Sequence, residues 1–298
     1  GLAITPPVLG RISIGKIVER NGKRLPEKDD QFTITSQVQG SEGWLPHPCD
    51  EGFRKAQGGK IRAIPIRLLF NDPDLNFRAE YALFDRRTSR PVCVGNGETC
   101  KRRTESGVQS LPCPSPDGCT LALNGACKPY GRLNVLIGDD DPLGSFVFRT
   151  TGFNSIRTLS ARLAYFQAIS GNRLAYLSLE LRLRGKSTRQ SLGTPIYYVD
   201  LTVRSGVSVE DALTEAKRLE VDRQEAGFEQ VALETAARLG FSNGAFEESD
   251  EEGDSVVEEF YTEGGDQGRG AGSAYSIEKS TEPSLVERLE SRARELSR

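Results

Sequence analysis

The sequence predicts an α+β fold, with antiparallel hairpins and two main packed helices in a single basic domain at residues 1–239. A cysteine-rich zinc loop at 93–127 interrupts the domain, and an acidic, largely disordered tail at 240–298 follows it. Three observations predict this. Short apolar alternations recur in pairs separated by turn-forming residues, the mark of antiparallel hairpins. Only two long stretches carry helical periodicity. Composition changes at Gly240: residues 240–298 hold 15 acidic and 6 basic residues, a net of −9, whereas the whole chain is −3, so residues 1–239 carry +6. A segment so charged and so poor in apolar residues cannot offset the entropy of ordering.

Taken in order, Arg11 to Val18 (RISIGKIV) and Gln31 to Val38 (QFTITSQV) alternate around the turn-like ERNGKRLP, predicting a hairpin with a basic tip. A short helix is expected near Asp50 to Gln57. Strands are expected at Lys60 to Phe70, with Pro65 marking an edge or bulge, and at Phe77 to Asp85 and Pro91 to Gly95. Gly131 to Gly138 and Gly144 to Gly152 predict two more strands around the acidic turn DDDPL. A helix from Asn154 to Ile169 places Ile156, Leu159, Leu163 and Phe166 at helical spacing, with Gly171 just past its end. Ala175 to Arg184 puts four leucines on one face and pairs with Pro195 to Val203. Ser208, with Asp211 three residues on, starts a helical run to Leu239 that breaks near Gly227. Within the tail, Ser284 to Leu296 could form a short helix with Leu285, Leu289 and Leu296 on one side.

Five of the six cysteines, Cys93, Cys100, Cys113, Cys119 and Cys127, fall in a segment of Gly, Pro, Ser and Asn too polar to bury a core. Residues 1–9 show no cationic start before an apolar run, and no stretch is long and apolar enough to span a membrane. The expected compartment is therefore the cytosol, where clustered thiols more often ligate metal than form disulfides. Four of these five would hold one structural Zn2+: Cys113, Cys119, Cys127 and either Cys93 or Cys100. An all-sulfur site leaves no open position, so it would be structural. The single histidine, His47, is expected to be an ordinary loop residue near Trp44.

Enzyme signatures are missing: there is no HExxH, no Gly-x-Ser-x-Gly, no phosphate-cradling loop and no Rossmann glycine pattern. Asp139 to Asp141 form the tight acidic cluster of the folded part, which keeps a metal-dependent nuclease or hydrolase open as an alternative. Basic residues suggest a DNA- or partner-binding surface. Arg182, Arg184, Lys186 and Arg189 follow one face and the tip of a hairpin, and Arg149, Arg157 and Arg162 lie on a neighbouring strand and helix. A solvated face that keeps a strand from pairing with other chains explains the same charges. If the surface binds DNA, the tail is expected to compete with phosphates for it.

Three motifs together carry a resemblance. GACKPYGRLNVLI (Gly125 to Ile137), SFVFRTTGFNSIRTL (Ser145 to Leu159) and LELRLRGKSTRQSLGTPIYYVDLTV (Leu179 to Val203) resemble the recombination directionality factor-like proteins of phages and mobile elements, over roughly residues 3 to 240. The likeness is strongest to zinc-containing cousins in Gram-negative plasmids and integrative elements. It implies a non-enzymatic accessory protein of DNA recombination that binds a serine integrase on DNA. A replication accessory role in the same element is the related alternative.

Overall fold

The computed structural model describes residues 7–20, 23–40, 43–139, 144–187, 193, 195–241, 257 and 260. Two units divide the chain, Gly1–Tyr261 and Thr262–Arg298, and every described residue belongs to the first. The helix expected at 284–296 lies outside the described residues, as does most of the tail.

Twelve strands join in one mixed sheet, which corrects the expected α+β arrangement of hairpins carrying two packed helices. The strands are β1 (Val8–Arg20), β2 (Lys23–Gly40), β3 (Gly43–Pro46), β4 (Ala63–Arg67), β5 (Phe77–Phe84), β6 (Pro91–Gly95), β7 (Thr99–Thr104), β8 (Gly107–Pro112), β9 (Lys128–Ile137), β10 (Ser145–Thr150), β11 (Leu179–Lys186) and β12 (Ile196–Val203). Their order is β3-β2-β1-β10-β9-β5-β6-β7-β8, with β4 joining β9 to β11 and β12 pairing with β11. Local alternation identifies hairpins, and the β1–β2 and β11–β12 hairpins are present. It does not reveal what joins them. The decisive contact is parallel: Arg11 of β1 sits opposite Val147 of β10, residues far apart in sequence.

The helices are α1 (Pro48–Ala56), α2 (Pro73–Asn76), α3 (Ser115–Gly118), α4 (Phe153–Ile169), α5 (Val209–Glu225) and α6 (Gln230–Phe241). Ser208 caps α5 by accepting from the Asp211 N–H at 3.1 Å. The break comes at Gly227, whose φ of 85° falls in the left-handed region that favours glycine. The helix end at Phe241 passes the boundary drawn at residue 239.

One face of the sheet forms the main core. Ile34, Ile66, Leu133, Val135, Phe146 and Phe148 from the strands meet Leu159, Leu163 and Phe166 of α4 and Ala212 and Ala216 of α5. Each fully buried large side chain contributes roughly 1.5–3 kcal/mol. Gly131 makes the close approach of α4 possible, since a Cβ there would lie 2.6 Å from Phe77 Cζ and 3.2 Å from Ile156 Cγ1. One ion pair and one hydrogen bond fasten the later helices: Arg67 reaches Glu215 of α5 at 2.9 Å, and the backbone N–H of Asn71 donates to Glu234 of α6 at 2.6 Å. The opposite face carries a separate cluster of Ala82, Phe84, Val94 and Tyr130.

Candidate functional site

The cysteine segment is more ordered than a loop. The expected strand β6 is followed by two antiparallel strands, β7 and β8, whose polar residues are held at the sheet edge by backbone pairing where no apolar pattern announces them. Cys93 lies on β6 opposite Arg102, and Cys100 lies on β7 opposite Gly95. Cys113 follows β8 and donates its N–H to the Glu98 carbonyl at 2.8 Å. Cys119 follows α3, and Cys127 immediately precedes β9. Glycine at position 95 lets two of these approach: a Cβ there would lie 2.6 Å from Cys100 Cβ and 3.0 Å from Cys113 Sγ.

Burial and neighbouring cysteines raise two of the five thiols, Cys100 and Cys127. Burial, then hydrogen bonding to Cys93, pushes the Cys100 thiol up to about 11. Burial, followed by the charges of Cys93, Cys113, Cys119 and Cys100, pushes Cys127 up to about 12. Arg102 hydrogen-bonds Cys93, which favours its charged form. Crowded thiolates are the electrostatic problem that a divalent cation solves, so the donor set suits zinc. Among the described residues, however, no three His, Cys, Asp or Glu side chains form a metal-holding group. Nearness and coordination are different criteria: charge coupling reaches beyond the about 4 Å that separates sulfurs bound ~2.3 Å from one zinc.

Four of the basic residues expected to form a binding surface, Arg162, Arg182, Arg184 and Lys186, gather around the β11–β12 hairpin and α4, each with a partner. Arg182 pairs with the buried Glu180, and Arg184 with the buried Asp200 at 3.3 Å. Asp200 also takes Arg162 at 2.9 Å. Lys186 donates to Asn154 Oδ1 at 2.9 Å, and Arg157 is exposed on α4. Arg189 lies outside the described residues. The hairpin thus supplies its own counter-charges, Glu180 and Asp200, from β11 and β12.

Arg149 belongs to a different group. Arg78 of β5, Arg132 of β9 and Arg149 of β10 stand directly opposite one another in the sheet register. Three guanidinium groups therefore share one face on adjacent strands, about 4.8 Å apart in strand spacing. None of the three is without an interaction partner. Arg132 is only 5% exposed, and burial together with its charge pushes Arg78 down to about 9. The apolar cluster of Ala82, Phe84, Val94 and Tyr130 continues the same face, and the Arg132 guanidinium lies 5.6 Å from the Tyr130 ring. Sequence reading passed over Arg78 and Arg132 because each sits singly in an apolar strand. The signal was an arginine at an inward-or-outward alternating position in FRAEYALF and again in GRLNVLI.

Two possible catalytic groupings are otherwise engaged. Asp139 is held below the usual carboxylate range by Arg204 and by Arg67, at 3.0 and 2.6 Å, while Asp140 and Asp141 lie outside the described residues. His47 caps α1, its Nδ1 accepting from the Cys49 N–H at 3.3 Å and lying 3.0 Å from Cys49 Sγ. Burial and then Asp50 push Cys49 up to about 11, and burial lowers His47, so this pair stays neutral. An activated thiolate needs the opposite shifts.

A family model described as Gp3-like, recombination directionality factor-like, matches residues 9–204. The chain belongs to the recombination directionality factor-like family. No curated protein and no solved structure matches it. All twelve strands of this directionality factor-like chain except the first residue of β1 fall in the matched span, which holds the five clustered cysteines and the arginine row. Helices α5 and α6, Val257 and Phe260 lie beyond it. Among the described residues, no helix is long and apolar enough to cross a membrane.

Proposed function

We propose that the protein is a cytoplasmic accessory factor of DNA recombination in a phage or mobile element, acting by binding a serine integrase on its DNA and changing the outcome of its reaction. Membership of the directionality factor-like family carries the reading. The site supports it: the thiols are suited to a structural ion, and the basic side chains are held by packing and ion pairs in a rigid surface. Zinc, bound by four of Cys93, Cys100, Cys113, Cys119 and Cys127, would tie the β6–β8 meander to the start of β9. DNA would be met within the integrase complex. A metal-dependent nuclease is less well supported, because Asp139 is committed to two arginines.

Incubating the purified chain with duplex DNA and Mg2+ or Mn2+ should leave the DNA intact, while adding it to an integrase–DNA complex should shift that complex on a gel. Cleavage by the chain alone, or a complex with unchanged mobility, would count against the proposal.

A further inference from the structure

Two residues from the acidic stretch are seated on the face that carries the arginine row. Val257 and Phe260 are 8% and 2% exposed and belong to the cluster of Ala82, Phe84, Val94 and Tyr130. The Phe260 ring packs edge-on against Phe84 at 5.0 Å and Tyr130 at 5.8 Å, while Phe84 and Tyr130 meet at 5.7 Å. Lys128 of β9 adds a polar clasp, with its ammonium 3.4 Å from the Phe260 carbonyl oxygen and 5.6 Å from the ring. Both anchors are helical, and a separation of three residues puts them on one side of a helix.

The sequence around the anchors is as informative as the anchors themselves. Residues 247–260 contain eight carboxylates and no basic residue, and Glu258 and Glu259 lie between the two anchors. The anchors themselves lie on the same sheet face as Arg78, Arg132 and Arg149. Like charges directly opposite in a sheet are unfavourable; Glu80 on the same face offsets Arg78 in part, and the three arginines beside an aromatic pocket keep a positive balance that is complementary to an acidic helix with apolar anchors. Double-stranded DNA would meet the charges but offers nothing equivalent to the Phe260 side chain.

We propose that this face of β5, β9 and β10 is a receptor for an acidic helical peptide presenting two apolar side chains three residues apart. The chain's own 247–260 stretch is its resident occupant. A segment of the same chemistry on a partner protein binds by exchanging with it. The inference deepens the reading of the protein as a binding factor and gives that binding a location and a regulator.

The test uses the full 298-residue chain and a fluorescently labelled synthetic peptide of residues 247–261, followed by anisotropy. Resident occupancy lowers the apparent affinity of the wild-type chain for the added peptide. Freeing the face in the double variant Val257→Ala, Phe260→Ala should raise that affinity by about tenfold or more. A peptide carrying Phe260→Ala should lose binding. Because the double variant empties an aromatic cluster, circular dichroism checks its fold, and a second chain, Glu258→Lys with Glu259→Lys, weakens docking while keeping Phe260. It should shift in the same direction. Equal binding to all three chains, or no binding to either variant, overturns the proposal, as does displacement of the peptide by a short DNA duplex in preference to an unlabelled copy of itself. Peptide exchange in a chain with no effect on an integrase reaction would leave this inference standing and remove the functional reading. Altered recombination without peptide exchange would do the reverse.

Discussion

Arg67 shows how one residue links the sheet to the helices. Its guanidinium contacts Asp139 at 2.6 Å, Glu215 at 2.9 Å and the Tyr176 carbonyl at 2.9 Å, with the Arg67 side chain only 9% exposed. Arg67→Met should cost about 2 kcal/mol, below the figure for a fully buried pair because both carboxylates retain solvent. Chemical denaturation checks this. The same group sets an acid dependence. Asp139 is lowered by Arg204 and Arg67, and Glu215 is lowered because hydrogen bonds from Ser178 and Arg67 outweigh the opposing effect of burial. Both folded values lie below the unfolded ones, so the unfolded chain binds more protons in acid. Their contribution is present above the ordinary carboxylate range, about pH 4, and is lost as pH falls through the lowered folded values. In Arg67→Met the slope of stability against pH in this range should flatten. An unchanged slope would mean that Arg204 and Ser178 alone fix both carboxylates.

At the scale of elements, the two most testable places are the turn of sheet under α4 and the cysteine meander. Gly131→Ala puts a methyl group where Phe77 and Ile156 already sit, and overpacking of this kind costs about 1–3 kcal/mol. A lower thermal midpoint with unchanged circular dichroism is the expected result. Cys127→Ser should lower the midpoint as well, and a zinc chelator should do so in the wild-type chain but add nothing in the variant, since metal binding and folding are linked. Zinc analysis should find one ion per chain; a chain free of metal when purified without chelator, and indifferent to chelator, would end the zinc proposal. What the sequence disclosed follows from the same elements. The β11–β12 hairpin was legible because Leu179, Leu181 and Leu183 alternate with charged neighbours, and α4 because its apolar residues recur at helical spacing. The strands β7 and β8 were not, because TCKRRT and GVQSLP present no apolar alternation and β8 is held by backbone pairing at an exposed edge. The arginine row was hidden for a further reason: three arginines on three strands become neighbours only through the register of β5, β9 and β10.

For the whole molecule, charge and topology give one account. The parallel contact of β1 with β10 closes hairpins into a single sheet, one face takes the helices, and the other gathers basic and aromatic side chains. Several arginines of residues 1–239 are paired with Glu180, Asp200 and Asp139, so a count of basic residues overstates how much basic surface is available to DNA. A protein-binding factor, with Val257 and Phe260 seated on the face that carries the arginine row, fits this better than a free DNA binder. Charge reversal of Arg184 should accordingly destabilise the β11–β12 hairpin by loss of its Asp200 contact before it changes any DNA affinity, an outcome that parallel melting and gel-shift measurements would separate.

The proposed role of the chain is to change the direction of recombination by binding. The most direct measurement is a purified reaction of the element's own serine integrase with paired attachment sites, scored for integration and excision products with and without the full chain. Excision should appear and integration should fall in proportion to added chain, with all DNA outside the attachment sites intact. Unchanged ratios of the two products at saturating chain, or DNA cut by the chain without integrase, would contradict it.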